Sequence, residues 1–253
     1  MQSLILGGTK GLGRALAVES LKRNIPTTVV GRTPPGRQAS PEMVGAAYIT
    51  ADLSQSKAFA DPHILSALTS MVLPETTHIF WVAGMFLRKP LTDCTTQEVI
   101  QMTATHFTGP VSALQIIHRI MKTAKPLSDN PGQPYHLVTI ASTSSYRERE
   151  NESLYCALKA AKAHFTRTFA KELIRDLPGS KVTLVNPGGL KTSNFWKGVD
   201  QDIANFMDPA AVANMIWDEV LGQTTNYLPL AIERNPDGSP RLFRGEKMPE
   251  SPF

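Results

Sequence analysis

Residues 3–21, SLILGGTKGLGRALAVESL, decide the fold. An apolar run breaks into a glycine-rich turn at Gly7, and apolar residues recur with helical periodicity after Gly13, so the stretch predicts a strand, a turn and a helix. Glycines let backbone N–H groups approach a diphosphate, which then lies at the positive end of the helix dipole. In this context the turn predicts a dinucleotide-binding site. Its candidate cofactor-binding residues are Gly7, Thr9, Lys10, Gly11, Leu12 and Gly13.

Outward from this turn, apolar runs alternate with helical patterns. Strands are expected at 3–6, 27–30, 46–50, 78–82, 135–141, 181–185 and 227–232, the last at a sheet edge that tolerates Pro229. Helices are expected over 54–68 with Ser54 as N-cap, over 96–121 with a bend at Pro110, over 153–173 with Ser153 as N-cap, and over 209–221. The pattern predicts an α/β fold, a single Rossmann-type domain over 1–253 whose doubly wound parallel sheet has about seven strands and helices on both faces.

Two late segments are assigned separately. Residues 193–208, with Phe195 and Trp196, have little periodicity and are expected to form a substrate lid, unless the two aromatic side chains simply pack there. Residues 235–253 are rich in Pro, Gly and charge, so we expect a tail that is loosely held or used in subunit contact.

Composition excludes several classes of protein. The 253 residues are 42% hydrophobic and 19% charged, as in a folded globular chain. The net charge of +4 is modest and the basic residues are scattered, so no nucleic-acid partner is expected. No targeting segment is recognised, and no window reaches the roughly eighteen apolar residues of a membrane span. Cys94 and Cys156, which lack metal-ligand spacing, favour a reducing, cytoplasmic location without a metal site.

Residue types at the strand ends indicate which cofactor binds. In a doubly wound sheet the end of the second strand meets the adenosine ribose, where an acid would bond the 2′-hydroxyl of NAD and a base would accommodate the 2′-phosphate of NADP. Arg32 follows that strand and Lys10 lies in the glycine turn, so NADP is favoured over NAD, although Arg32 could be a solvated loop arginine. Asp52, beside Leu53, is a candidate adenine contact or the start of a helix cap.

The chemistry is assigned to a tyrosine and a lysine. Tyr155 and Lys159 are four residues apart, which places them on one helix face. An ammonium group one turn away is expected to lower the pKa of the phenol, so that Tyr155 donates or accepts a proton near neutral pH. Such pairs also occur by chance on solvated helices, but Ser142, at the end of the fifth predicted strand, favours the functional interpretation.

Other candidates lie at strand ends and within the long helix. Ala83 and Gly84 are small enough for a ligand to approach the backbone closely. Residues 187–188, Pro187 and Gly188, form the exit of the sixth strand, and Thr192 could hydrogen-bond a carboxamide. His106, on a largely apolar helix, is either a packed core residue or part of the site.

These motifs in this order resemble the short-chain dehydrogenase/reductase family over residues 3–232. The resemblance rests on the glycine spacing and on Ser142 with Tyr155-x-x-x-Lys159. It implies hydride transfer between nicotinamide C4 and a carbonyl or alcohol carbon. Tyr155 would be the acid/base, Ser142 would bond the substrate oxygen, and Lys159 would bind the nicotinamide ribose. The resemblance also implies a homodimer or homotetramer built on the helices that carry His106 and Tyr155.

The sequence departs from the family pattern in three motifs. Leu6 replaces a threonine, Trp81-Val82 replace two asparagines before Ala83, and His106 replaces the asparagine that completes the catalytic tetrad. At that last position an imidazole could substitute for the family's proton relay, or the relay could be absent. The sequence predicts an NADPH-dependent carbonyl reductase, or the reverse alcohol dehydrogenase, that acts on a small molecule. The alternative is an NADP-binding regulatory protein of the same fold without turnover.

Overall fold

The computed structural model describes residues 1–32, 41–55, 57–69, 76–124, 132–192 and 195–245. Within them, eight strands form one sheet in the order β3-β2-β1-β4-β5-β6-β7-β8. The strands are β1 Gln2–Leu6, β2 Thr27–Gly31, β3 Ala47–Thr50, β4 Thr76–Trp81, β5 His136–Ile140, β6 Lys181–Pro187, β7 Tyr227–Arg234 and β8 Pro240–Arg244. Neighbours from β3 to β7 pair in parallel, and β8 pairs antiparallel with β7. The doubly wound parallel sheet predicted from the sequence is confirmed.

Helices cover both faces of the sheet. They are α1 Gly11–Lys22, α2 Pro62–Ala67, α3 Thr96–Thr103, α4 Gly109–Thr123, α5 Ser153–Asp176 and α6 Pro209–Gly222. On one face α1 and α6 pack together, and the Trp217 indole N–H of α6 donates to Leu16 O of α1 at 3.0 Å. On the other face α4 and α5 bury Ile117 and Leu173 against the strands. The central strands are therefore buried on both faces, which is why they are mainly apolar.

The helix predicted over 96–121 is divided into two. A five-residue π-helical turn, Ala104–Thr108, separates α3 from α4. Pro110 follows this turn closely, within a backbone that stays helical, so its missing N–H removes a helical hydrogen bond and the irregularity lies just before the proline. His106 sits within the π-helical turn.

Two predicted N-caps are wrong. Asp61, not Ser54, caps the second helix, because its carboxylate accepts the N–H groups of His63 and Ile64 while Ser54 instead donates to Asp52. Glu152, without a side-chain cap bond, precedes α5, so Ser153 is its first helical residue.

The predicted edge strand lies inside the sheet. Residues 240–244, expected to belong to a loose tail, form β8 and cover β7. Pro229 is nevertheless tolerated, since it faces Gly245 just beyond the last paired residue of β8, where its carbonyl accepts the Gly245 N–H at 3.1 Å. Residues 246–253 of the predicted tail and 193–194 of the predicted lid lie outside the described residues.

The strand order reverses direction between β1 and β4, which are neighbours in the sheet. In open α/β sheets such a switch point leaves a crevice at the carboxyl ends of the strands, and ligands bind there. The turn after β1 and the pair Ala83-Gly84 after β4 both open into that crevice. In the described part of the chain, no helix is both long and apolar enough to cross a bilayer.

Candidate active site

A cleft of about 1140 Å³ runs along the carboxyl edge of the sheet. Every residue predicted to bind the cofactor lines it, as do three of the four predicted catalytic side chains. These lining residues are Gly7, Thr9, Lys10, Gly11, Leu12, Gly13, Arg32, Asp52, Leu53, Ala83, Gly84, Ser142, Tyr155, Lys159, Pro187, Gly188 and Thr192. His106, the remaining predicted catalytic residue, is fully buried behind the cleft wall.

The glycine turn forms one end of the cleft and requires glycines for steric reasons. Gly7 has a φ of 93°, and a Cβ there would lie 2.7 Å from Ala83 N, because the ends of β1 and β4 nearly touch. A Cβ on Gly13 would overlap Gly7 O. Helix α1 begins at Gly11 with no side-chain cap and no acid in its first turn, so its N–H groups remain available to an anion.

Two cations stand near this turn. Lys10 and Arg32 are exposed on the cleft wall, and neither has an ion-pair partner within the residues that the structure describes. Asp52, by contrast, is engaged locally, since one carboxylate oxygen accepts both the Ser54 N–H at 3.0 Å and the Ser54 hydroxyl at 2.8 Å. A positive, uncompensated pair at this end of the cleft suits a phosphate group.

The second group of candidates meets where β5 ends. Ser142 follows β5 and is 8% exposed; Tyr155, whose pKa is raised by burial and lowered in part by the Ser142 hydroxyl, is 5% exposed. One turn further along α5, Lys159 Nζ donates to Ala141 O at 2.9 Å and lies 5.5 Å from the centroid of the Tyr155 ring. The three side chains that the sequence singled out therefore converge on one wall of the cleft.

The acid–base properties differ from the prediction in one respect. Burial raises the pKa of Tyr155 above its usual value, and the Ser142 hydrogen bond opposes this only in part. Burial lowers the pKa of Lys159 to about 7. The expected lowering of the Tyr155 pKa by Lys159 is therefore wrong for this structure, because a half-charged ammonium opposite the ring does not offset the cost of burying a phenolate.

His106 packs in the core. Its Nε2 lies 2.6 Å from Met85 O, its ring centroid is 5.6 Å from that of Tyr155, and a Cβ on Gly84 would lie 3.0 Å from its Cε1. Burial lowers its pKa well below the ordinary value, and Lys159 and Lys162 add to the effect. Nδ1 is buried without a hydrogen-bond partner among the described residues. His106 does not line the cleft; it supports the cleft wall from behind.

Lys162 was missed by sequence reasoning. It is fully buried on α5, its Nζ donates to Ala83 O at 3.2 Å, and the ammonium lies 4.5 Å from the centroid of the Trp81 ring. The signal was present, because residues 155, 159 and 162 share one helix face at spacings of four and three.

The far end of the cleft is aromatic. Phe86, which follows β4, lies edge-on to Tyr155 with ring centroids 4.9 Å apart. Phe195, Trp196 and Phe206, from the predicted lid, also line the cleft. Thr192 lies beside the glycine turn, with its methyl group against Gly11.

Comparison with known proteins agrees with this arrangement. A sequence model described as short chain dehydrogenase matches residues 2–203. The chain is 25% identical over 202 residues to the chloroplastic tropinone reductase homolog At2g29260 of Arabidopsis thaliana, covering 76% of this chain but only 58% of that protein. It is 29% identical over 205 residues to an uncharacterized oxidoreductase of Myxococcus xanthus (strain DK1622), covering 76% of this chain and 75% of that protein.

Solved structures share the fold. A short chain dehydrogenase/reductase family protein superposes with a TM-score of 0.75 at 21% identity, over 92% of this chain and 95% of that one. ElxO with NADP bound superposes with a TM-score of 0.73 at 18% identity, over 92% and 97% of the two chains.

Proposed function

This chain belongs to the short-chain dehydrogenase family, and from that membership we propose that it is an oxidoreductase that transfers a hydride between a nicotinamide cofactor and a carbonyl or alcohol carbon. The observation that carries the proposal is the convergence of Ser142, Tyr155 and Lys159 on one wall of a cleft. The glycine turn, at the uncapped N-terminus of α1, forms one end of that cleft. The alternative of a regulatory protein without turnover is not favoured, since it leaves this convergence unexplained.

The glycine turn fits a dinucleotide. Side chains at Gly7 and Gly13 would overlap neighbouring backbone, so glycines there let the ends of β1, β4 and α1 pack closely, and the uncapped N-terminus of α1 meets the cleft. In our proposal the turn and the α1 N-terminus hold the diphosphate, Lys159 holds the nicotinamide ribose, and Thr192 faces the carboxamide. When bound, the cofactor supplies or accepts the hydride. The protein residues orient the substrate and move the proton.

The proton chemistry involves Tyr155, Ser142 and Lys159. The phenol of Tyr155 is protonated at neutral pH, and the burial that raises its pKa keeps it so; it can donate this proton to a substrate oxygen. The Ser142 hydroxyl, which lines the same wall of the cleft, can turn its O–H to the same oxygen and so position it. Lys159 has a pKa of about 7, which suits a group that exchanges protons during each turnover. We therefore propose that Tyr155 acts as the acid in carbonyl reduction and as the base in the reverse alcohol oxidation.

The decisive experiment replaces the phenol. Tyr155→Phe should lower kcat at least about a hundredfold, because it removes the proton donor, and should leave the Kd of NADPH unchanged. NADPH oxidation with a panel of ketones and cofactor titration by fluorescence measure the two effects. Tyr146→Phe is the matched control, since Tyr146 also has a buried hydroxyl but does not line the cleft. Retained turnover in Tyr155→Phe would refute the assignment.

We further propose that NADP is preferred over NAD. Support comes from Arg32 and Lys10, which line the cleft and have no ion-pair partner within the described ranges. Arg32→Ala should raise the Kd of NADPH about tenfold or more, because it removes a charge-assisted hydrogen bond, and should change the Kd of NADH little. Exposed Arg167, outside the cleft, gives the control Arg167→Ala. Equal losses for both cofactors would contradict a 2′-phosphate contact.

His106 is proposed as a positioning residue. It contacts Met85 rather than the cleft, so His106→Asn should keep activity within about threefold if the amide can still bond the Met85 carbonyl. A much larger loss, accompanied by a shifted pH–rate profile, would instead identify the imidazole as a proton carrier.

We also propose a homodimer or homotetramer that associates through the α4 and α5 face. Phe165 and Phe169 on α5 are stacked, with centroids 5.6 Å apart, and only partly buried. Light scattering should give two or four times the chain mass of 27.7 kDa. A mass of one chain at micromolar concentration would contradict the proposal. The cytoplasmic location stays a prediction, which cell fractionation would test.

A further inference from the structure

A row of aromatic rings leads away from Tyr155 along the far end of the cleft. Phe86 lies 5.4 Å from Phe195 in a stacked arrangement and 4.7 Å from Trp196. Trp196 in turn lies 5.1 Å from Phe206. All four rings line the cleft, and the row begins at the phenol that is proposed to protonate the substrate.

The outer rings of this row are anchored to the backbone. The Trp196 indole N–H donates to Leu190 O at 2.8 Å, and Phe206 packs so closely on Gly189 that a Cβ there would lie 2.7 Å from the ring. The inner rings, Phe86 and Phe195, contact other side chains and are only partly buried. They can therefore separate without breaking a backbone hydrogen bond.

We propose that the preferred substrates are ketones or aldehydes whose carbonyl carries an aromatic or other flat apolar group; this rests on the proposed function above. A flat substrate group beside Tyr155 would separate Phe86 from Phe195 and contact both rings, so that two ring–substrate contacts replace one ring–ring contact. A short alkyl group would also separate the rings but would make less contact with them. Glu152, whose carboxyl is half-buried, lines the same cleft as Tyr155, so an anionic substrate group would approach a like charge there.

The test measures the NADPH-dependent reduction of three carbonyl compounds, of which acetophenone and acetone are uncharged and pyruvate is an anion. The kcat/KM for acetophenone should exceed that for acetone and for pyruvate by about tenfold or more. Phe86→Leu should reduce this ratio several-fold, while Phe243→Leu on β8, which is partly buried outside the cleft, should leave it unchanged. Equal or reversed kcat/KM values would overturn this inference and leave the proposed function standing. Absence of turnover with every carbonyl would overturn the proposed function itself.

A second, independent observation concerns Lys162. Its aliphatic chain and ammonium are fully buried, and the nearby Lys159 is a like charge that lowers its pKa further. Burying an ammonium group beside another costs folding free energy, and an apolar residue of the same length would avoid that cost. Stability therefore does not explain why a lysine stands there.

What Lys162 does contact is the cleft wall. Its Nζ donates to Ala83 O, two residues before Met85, whose carbonyl lies beside His106. Lys162 and His106 thus contact the two ends of the segment Ala83–Gly84–Met85, which follows β4 and lines the cleft. The asparagines that the sequence resemblance leads one to expect before Ala83 are replaced by Trp81 and Val82, and Trp81 is the ring against which the Lys162 ammonium packs.

We infer that Lys162 is a positioning residue for the cofactor wall formed by Ala83–Gly84–Met85. Lys162→Met keeps the length of the side chain and removes the donor. It should raise the Kd of NADPH about three- to tenfold, while the thermal midpoint of unfolding stays the same or rises. Lys162→Gln, which keeps a donor, should recover part of the affinity, and exposed Lys171→Met on the same helix should change neither quantity.

The combination of the two readouts separates positioning from mere structural support. Weaker NADPH binding without loss of stability is the expected result. If Lys162→Met lowers the thermal midpoint and leaves the Kd of NADPH unchanged, the residue is structural and the inference is wrong. If Lys162→Met does not fold, unimpaired NADPH binding by a folded Lys162→Ala variant would likewise refute it.

Discussion

Replacing Gly13 by alanine tests whether the glycine turn is fixed by packing. The new Cβ would overlap Gly7 O and lie 3.0 Å from Gly8 Cα, and both neighbours are backbone atoms that cannot rotate away. Helix α1 cannot retreat either, because Leu16 is fully buried and its carbonyl accepts the Trp217 indole N–H. Overpacking costs about 1–3 kcal/mol. Alanine recovers about 1 kcal/mol of helix propensity, so the expected net loss is about 1 kcal/mol.

The assay combines urea unfolding, followed by tryptophan fluorescence, with NADPH titration. We expect Gly13→Ala to lower the unfolding free energy and to weaken NADPH binding at least about tenfold, because the displaced backbone no longer approaches the diphosphate. Gly222→Ala is the matched control: it is also helical, and a Cβ there meets nothing within 4 Å. The reasoning would be refuted if Gly13→Ala were as stable as the control and bound NADPH equally well.

Three other measurements follow from the buried polar groups. The pKa of Lys159 is about 7 in the folded protein and higher in the unfolded chain, so the unfolded chain binds the extra proton. The free energy of unfolding should therefore rise between pH 7 and pH 9. The rise should be smaller in Lys159→Met, and an equal rise in that variant would contradict the prediction. Burial lowers the pKa values of His78 and His136 to about 4 and about 3. The free energy of unfolding should therefore fall as the pH drops from 6.5 to 4. Urea midpoints that stay constant over this range would argue against the burial of these two side chains. Ser142→Ala should lower kcat by roughly 10²–10³ and leave the Kd of NADPH unchanged, since it removes a donor to the substrate oxygen and a partner of Tyr155. Steady-state kinetics and cofactor titration measure the two effects. An unchanged kcat would exclude this role for Ser142.

Much of the fold could be predicted because its signals are local. The apolar run before Gly7, the glycine spacing and the helical periodicity after Gly13 each act within a few residues, and they specified β1, the turn and α1 correctly. The expected doubly wound parallel sheet is also confirmed, because strands buried on both faces are mainly apolar and can be recognised by that pattern. The predicted edge strand failed, since pairing with β8 depends on a segment whose composition resembles a loop.

The candidate site divides along the same line. The sequence by itself placed Tyr155 and Lys159 on one helix face and Ser142 at a strand end, because helix and strand geometry fix those relations. Only the tertiary structure decided how deeply each group is buried, and burial determines charge. It raises the pKa of Tyr155, lowers that of Lys159 to about 7, and puts His106 behind the cleft wall with Lys162. Desolvation depends on everything packed around a side chain, so it arises from the whole fold and from no single stretch of sequence.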